Sequence, residues 1–239
     1  MALPVNTSPV YSMVIPSTGQ EVKFRPFLVK DEKALLIAQQ SEDPEVMAET
    51  LKNVISSCIT TQIDVDKLAT FDLEYIFTQM RAKSVGENVD LMFPCDICPT
   101  DDEKARVKIS FDLTKIKVEK DADHTNKIHL FNDVGVVMKY PTIQSMNRFK
   151  ELNADNLDDL FKLIAECVDY IYDGDEIHYA KEQAFNDVLE FMNNLTSDQF
   201  KSVQKFFETM PKLKQNVQYT CPVCQHQHNK TLEGLQSFF

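Results

Sequence analysis

The chain has 239 residues, 43% of them hydrophobic and 26% charged, with a formal net charge of −12. That length suffices for one sizeable core, or a core with a small satellite module. The acidic balance excludes nucleic acid and anionic membrane surfaces as main partners, because both are bound by clustered Lys and Arg. No apolar run approaches the ~18 residues of a membrane span. Met1-Ala2-Leu3-Pro4 does not open a basic-then-apolar signal sequence. The expectation is a protein that is made in, and stays in, a reducing cytoplasm. With 16 Phe and no Trp, its core is built from Phe, Leu, Ile and Val.

Residues 1–9 are polar and Pro-punctuated and read as an extended arm. Val10 to Ile15, the turn signal Pro16-Ser17-Thr18-Gly19, and the alternating Glu21 to Phe27 predict a β-hairpin. Lys30 to Gln40 predicts a helix with Ala34, Leu35 and Ile37 on its apolar face. Asp43-Pro44 starts a second helix, a capping residue followed by Pro at the first position. A third runs from Thr70 through Asp72, Leu73, Ile76, Phe77 and Met80, with Gly86 as its stop. Asn88 to Phe93 and Arg106 to Phe111 alternate as strands around Cys95-Asp96-Ile97-Cys98. Residues 119–126 read as a polar linker, and Lys127 to Tyr140 as a hairpin turning at Asn132-Asp133.

Residues 142–210 predict helix. Leu157, Leu160, Phe161, Ile164, Cys167, Val168 and Ile171 recur at intervals of three and four. Thr196 and Gln199 fit a capping box. Phe200, Val203, Phe206, Phe207 and Met210 then form one apolar stripe, read as core-facing rather than as a partner groove, and Pro211 ends the helix. Val217 to Tyr219, Cys221-Pro222-Val223-Cys224 and His226 to Lys230 repeat the strand, Cys-x-x-Cys, strand outline. The predicted fold class is α+β: an N-terminal β-hairpin and helices, then two Cys-x-x-Cys zinc-knuckle hairpins bracketing a mainly helical segment. The expected divisions are 1–87, 88–118, 119–211 and 212–239.

Six cysteines in a reducing compartment favour metal ligation over disulfides. Cys58 and Cys167 stand among apolar neighbours and read as buried small hydrophobes. The two Cys-x-x-Cys pairs each supply two sulfurs, whereas structural zinc takes four ligands in a tetrahedron. One shared site of Cys95, Cys98, Cys221 and Cys224 is the economical reading. Its gap far exceeds the usual ~15–20 residues of a zinc ribbon, so the helical segment is an insertion. Zinc knuckles often carry Gly after the second Cys, where the backbone turns left-handed, but here Pro99 and Gln225 stand there. Free thiols, a strained site drawing on His226 or His228 beside Cys221 and Cys224, and a redox pair are the alternatives. The redox pair lacks its usual helix N-terminus, because both pairs follow strands.

A closed four-thiolate site leaves no open position for substrate, so the expected zinc is structural. No Gly-rich phosphate loop, Gly-x-Ser-x-Gly or His-Glu-x-x-His occurs. Asp158-Asp159 read as a solvated helix face, His178 as a structural or surface residue, and His124 and His129 show no ligand spacing. No enzymatic activity and no small-molecule substrate are expected.

The stretch Lys23-Phe24-Arg25-Pro26-Phe27-Leu28-Val29-Lys30-Asp31-Glu32-Lys33-Ala34-Leu35-Leu36 resembles the opening signature of the baseplate hub subunit family of T-even-like contractile-tailed phages. Phe71-Asp72-Leu73-Glu74 and Arg81-Ala82-Lys83-Ser84-Val85-Gly86-Glu87 resemble its second signature, and the Cys pairs and the Leu232 to Phe239 ending are similar too. The likeness spans most of the chain and is strongest over residues 21–112. It implies a hub subunit or assembly factor with no catalytic residues, whose partners are other baseplate hub or wedge proteins. It also implies a place in the host cytoplasm during assembly, or in the virion tail baseplate. A zinc-ribbon regulatory module unrelated to the virion is the alternative. Arg25, Arg81 and Lys83 are expected to pair internally. The arm and Phe238-Phe239 are candidates for partner contact, with docking on the protein's own core as the other reading for Phe238-Phe239.

Overall fold

The first hairpin forms as expected, with β1 (Tyr11–Val14) antiparallel to β2 (Glu21–Phe24). The computed structural model describes residues 8–99, 103–147 and 156–238, so most of the expected arm lies outside the described residues. The hairpin turn is tied down by a buried acid. Asp72 accepts from the Ser17 backbone N–H at 2.9 Å and from the Ser17 hydroxyl at 2.5 Å. Two helices follow, α1 (Val29–Gln40) and α2 (Pro44–Cys58). Asp43 caps α2 by accepting the Glu45 N–H at 2.9 Å. The end of α2 returns to the hairpin, where Arg25 N–H donates to the Cys58 carbonyl at 2.9 Å and Thr60 N–H to that of Lys23 at 2.8 Å. Cys58 is fully buried, as its apolar surroundings predict.

The basic residues of the motifs find partners inside the fold. Arg25 holds Asp31 at 3.1 Å, and Asp31 also accepts the Leu28 N–H at 2.9 Å at the start of α1. Burial alone would raise the Asp31 pKa. The Leu28 N–H and the Arg25 guanidinium outweigh it and hold the carboxyl below its ordinary 3.8. A carboxyl depressed in the folded state contributes stability above its unfolded value and loses it as pH falls through the folded one. Arg25→Met, which strands a buried carboxylate, is therefore expected to cost on the order of 2–3 kcal/mol at pH 7. That gap should narrow below about pH 4, where Asp31 protonates in the unfolded chain. Urea unfolding at pH 7 and pH 3.5 checks this. An equal gap at both would count against the pair.

The third helix, α3 (Thr70–Ser84), buries Phe71, Leu73, Ile76, Phe77 and Met80. Arg81 is half-buried beside Glu32, and Lys83 pairs with Glu87 one turn on. The first knuckle hairpin pairs β3 (Asn88–Phe93) with β4 (Val107–Asp112), Phe93 opposite Val107. A short strand, β5 (Lys117–Glu119), precedes the expected linker and shares only Glu119 with it.

The chain divides into two compact units: Met1–Val65, Phe71–Glu119 and Lys212–Phe239 in one, Asp66–Thr70 and Lys120–Pro211 in the other. The second unit opens with β6 (Lys127–Phe131) and β7 (Val134–Met138), turning at Asn132 with φ 45°. Next come α4 (Ile143–Asn147) and α5 (Leu157–Glu166). Here the helical expectation needs correction. Val168–Asp173 is a strand, β8, and Glu176–Tyr179 is its hairpin partner β9, giving a sheet ordered β6-β7-β8-β9. Cys167, Val168 and Ile171 match helical spacing by coincidence. The run Val168-Asp169-Tyr170-Ile171-Tyr172 is β-branched and aromatic apart from Asp169, and Gly174-Asp175, with Gly174 at φ 57°, is the two-residue hairpin turn that brings Asp173 opposite Glu176.

Two further helices, α6 (Phe185–Asn193) and α7 (Ser197–Thr209), complete this unit. The capping box forms, with Gln199 accepting the Thr196 N–H at 2.8 Å. The α7 stripe faces the core: Val203 and Phe206 are buried with Val136, Met138, Val168 and Met192, and Phe200 and Phe207 pack against them. His124 is a buried structural residue, 3.0 Å from both the Thr209 and Tyr140 hydroxyls. His178 lies at the surface near Glu176. Of the acidic pair, Asp158 is exposed, but Asp159 is buried and holds Lys162 at 2.9 Å, an anchored ion pair rather than a solvated group.

The chain then re-enters the first unit. β10 (Lys212–Thr220) lies between β11 (Gln227–Glu233) and β5. After Gly234, at φ 71°, a 3-10 turn over Leu235–Phe238 carries Phe238 into a fully buried position among Ala82, Leu113, Ile116 and Leu213. Of the two expected contact residues at this end, Phe238 therefore docks on its own core. Phe239 lies outside the described residues.

Candidate metal centre

Each Cys pair sits at the tip of its hairpin, because a strand delivers the first Cys and a tight turn returns the second. In the second knuckle, Cys221 N–H donates to the His226 carbonyl at 2.9 Å and Gln225 N–H to the Cys221 carbonyl at 3.0 Å. Gln225 adopts φ 59°, taking the left-handed conformation expected of Gly there. In the first knuckle, the Ile97 N–H points at the Cys95 sulfur at 3.4 Å.

The two tips meet although 123 to 129 residues separate the contacting cysteines. Cys95 Sγ lies 3.6 Å from Cys224 Sγ, and Cys98 Sγ lies 3.9 Å from Cys221 Sγ. All four sulfurs fall within 4.8 Å of one another. None is in a disulfide. A zinc tetrahedron with bonds of ~2.3 Å has sulfur–sulfur edges of ~3.8 Å. The donor set and its spacing thus fit a divalent ion, and both close contacts join one knuckle to the other.

The electrostatics point the same way. N–H groups of Cys98 and Ile97, with His228, bring the Cys95 thiol down to about 6. Burial and the neighbouring thiols push Cys98 up to about 12. At Cys224 the His226 N–H favours the thiolate, but partial desolvation at the exposed knuckle tip and the sulfurs of Cys221 and Cys95 outweigh it and raise the pKa. Four thiolates this close repel one another, and a cation among them removes the conflict. No α-helix begins at either pair, so the helix-terminus feature of a redox dithiol is absent from both.

The hairpins are held together by more than sulfur. Phe93 and Phe111 from the first hairpin pack with Val217 and Tyr219 from the second. The Tyr219 hydroxyl donates to the Pro94 carbonyl at 2.8 Å. Around Cys95 the structure places His228, an alternative ligand in the sequence reading, behind the sulfur of the first knuckle, and adds Asp96 and Lys230, which spacing does not single out. His228 Nε2 is 3.3 Å from the Cys95 sulfur, and Lys230 Nζ is 2.8 Å from Asp96. The alternation of β11 puts His228 and Lys230 on one face, but no local signal says that this face meets the first knuckle. His226 packs its ring against His228 at 4.8 Å, edge to face.

The family model for the T4 bacteriophage base plate protein matches residues 8–239, nearly the whole chain. The chain belongs to that family. Its role is therefore structural, in the phage baseplate. No curated protein and no solved structure matches. Within this base plate protein, the motif residues do structural work: Arg25 and Asp31 join the first hairpin to α1, and Asp72 joins its turn to α3. Glu74 in the same motif accepts the Leu235 N–H, and burial, which outweighs that bond, raises its pKa. Both the opening hairpin and the chain's end are thus fastened to α3.

Proposed function

We propose that this base plate protein is a non-catalytic structural or assembly component of the tail baseplate hub. It binds other hub or wedge proteins, and Cys95, Cys98, Cys221 and Cys224 hold one structural zinc. The match to the base plate family over residues 8–239 carries the first part of this reading, and the four converging sulfurs carry the second. Four protein ligands close a zinc shell and leave no position for water or substrate, which suits a structural ion. The net charge of −12 favours protein partners over nucleic acid. A regulatory zinc ribbon unrelated to the virion is less favoured, because the family match extends far beyond the two knuckles.

A conditional knockout in the phage tests the assembly role. Loss of complete baseplates with heads still made is the expected picture by electron microscopy, whereas normal numbers of infectious, fully tailed particles would sink the idea. Mass spectrometry of purified virions against infected-cell lysate then separates a permanent hub subunit from an assembly factor that acts in the host cytoplasm.

The N-terminal arm is the proposed contact segment, since terminal segments are often ordered by a partner. Deleting residues 1–9 is expected to weaken pull-down of hub or wedge proteins at least several-fold. On this reading the arm lies outside the core, so the melting temperature should stay within about 2 °C of wild type. A deletion that unfolds the protein would place the arm in the core and move the contact elsewhere.

A further inference from the structure

We propose that Asp96, His228 and Lys230 form a clamp across the two knuckles that positions the Cys95 sulfur, so that the metal enters a site whose halves are already in register; this rests on the zinc reading above. Asp96 stands inside the first Cys-x-x-Cys, and His228 and Lys230 lie on β11 beyond the second. One Asp96 oxygen accepts from Lys230 Nζ at 2.8 Å, and the other faces His228 Nδ1 at 3.5 Å. The opposite ring nitrogen, Nε2, faces Cys95 Sγ at 3.3 Å. A metal-bound thiolate and a carboxylate both only accept hydrogen bonds, so the clamp has Nε2 donating to Cys95 and Nδ1 donating toward Asp96, with a hydrogen on each ring nitrogen.

The ring has little freedom to do anything else. His228 is 7% exposed and stacks on its cross-strand neighbour Tyr219, with centroids 4.7 Å apart and planes at 16°. Tyr219 is itself anchored to the Pro94 carbonyl, one residue before Cys95. The charges make the same case. Zinc with four thiolates carries two negative charges in excess, so a carboxylate beside it is unfavourable unless it holds cationic or hydrogen-donating groups in place. Asp96 does that with Lys230 and His228. Residues that orient a ligand through its far side are a general requirement of metal sites. These span the two chain segments that the metal must join.

The test uses the full chain loaded with zinc, its affinity read by competition with a chromophoric chelator. Asp96→Asn and His228→Phe are each expected to weaken zinc binding by about 10–100-fold. The double variant should be little weaker than the worse single one, because the residues act as one unit. His228→Gln, which returns an N–H near the Nε2 position, should recover most of the loss. With cobalt(II) in place of zinc, the thiolate-to-metal charge-transfer band should shift in His228→Phe and move back in His228→Gln, a response that a packing defect alone would not give. If wild type binds one zinc and both single variants stay within about twofold with an unshifted band, the clamp is wrong while the zinc site stands. If wild type binds no metal, the zinc reading falls first and takes the clamp with it. The Asp96 side chain is 59% exposed, so Asp96→Asn keeps the test decisive even if His228→Phe folds poorly.

Discussion

Cys221→Ser is expected to abolish zinc binding and to lower the melting temperature by on the order of 10 °C, which corresponds to roughly 3–5 kcal/mol in a chain of this length. The size follows from what the ion ties together. The sulfurs it would bridge are 123 to 129 residues apart, and a covalent cross-link closing a loop of ~100 residues contributes about 4–5 kcal/mol. Binding linkage gives a similar scale, about 4 kcal/mol when free zinc exceeds the dissociation constant a thousandfold. The loss should stop short of complete unfolding, because the apolar cluster of Phe93, Phe111, Val217 and Tyr219 docks the hairpins independently of sulfur. Cys95→Ser should behave like Cys221→Ser, since both side chains are buried, and Cys224→Ser should be milder because Cys224 is exposed. Metal analysis of freshly purified, never-chelated protein should find about one zinc per chain. Substoichiometric zinc there, or a Cys221→Ser variant with wild-type metal content, would overturn the site.

Phe238→Ala should destabilise the first unit by about 3–5 kcal/mol, the usual cost of emptying a buried phenylalanine site. Phe238 is fully buried with Ala82, Leu113, Ile116 and Leu213, drawn from α3, the turn after β4, and β10. Its approach is fixed by the Gly234 N–H, which donates to the Leu213 carbonyl at 3.0 Å, and by the Glu74 carboxylate, which accepts the Leu235 N–H. Neighbours fastened at several points close poorly around a cavity. Phe238→Leu, which keeps most of the volume, should cost less than half as much. Chemical denaturation followed by a probe in the first unit checks this. A Phe238→Ala loss below about 1 kcal/mol would mean that the tail is not part of the core. The variant should still bind zinc, since Phe238 belongs to a cluster separate from the one beneath the cysteines.

Much of the secondary structure is legible because its determinants are local. Asp43 before Pro44, and Thr196 with Gln199, announce helix starts through hydrogen bonds that span only two or three residues. The strands around both Cys pairs alternate cleanly, because each hairpin has one face against an apolar cluster. The stretch from Val168 to Tyr179 is the counterexample. Spacing of three and four runs through Cys167, Val168 and Ile171, and only pairing with β7 decides that these residues are extended. Likewise the short strand Lys117–Glu119, whose last residue reads as the first of the linker 119–126, has no signal of its own until β10 lies beside it.

The amino-acid sequence by itself determined the family, the Cys-x-x-Cys tips and the hairpins that carry them. These depend on residue identity and on contacts a few positions apart. Ligand count in the sequence already calls for the two Cys pairs to share a site, and the tertiary structure brings the sulfurs of Cys95 and Cys224 to 3.6 Å; tertiary structure alone decided that His228 stands behind Cys95 and that Phe238 fills its own core. Each of these joins segments more than a hundred residues apart in the chain. Which distant surfaces come together is set by the summed burial of many side chains, such as Phe93 against Tyr219, and no single stretch of sequence carries that sum.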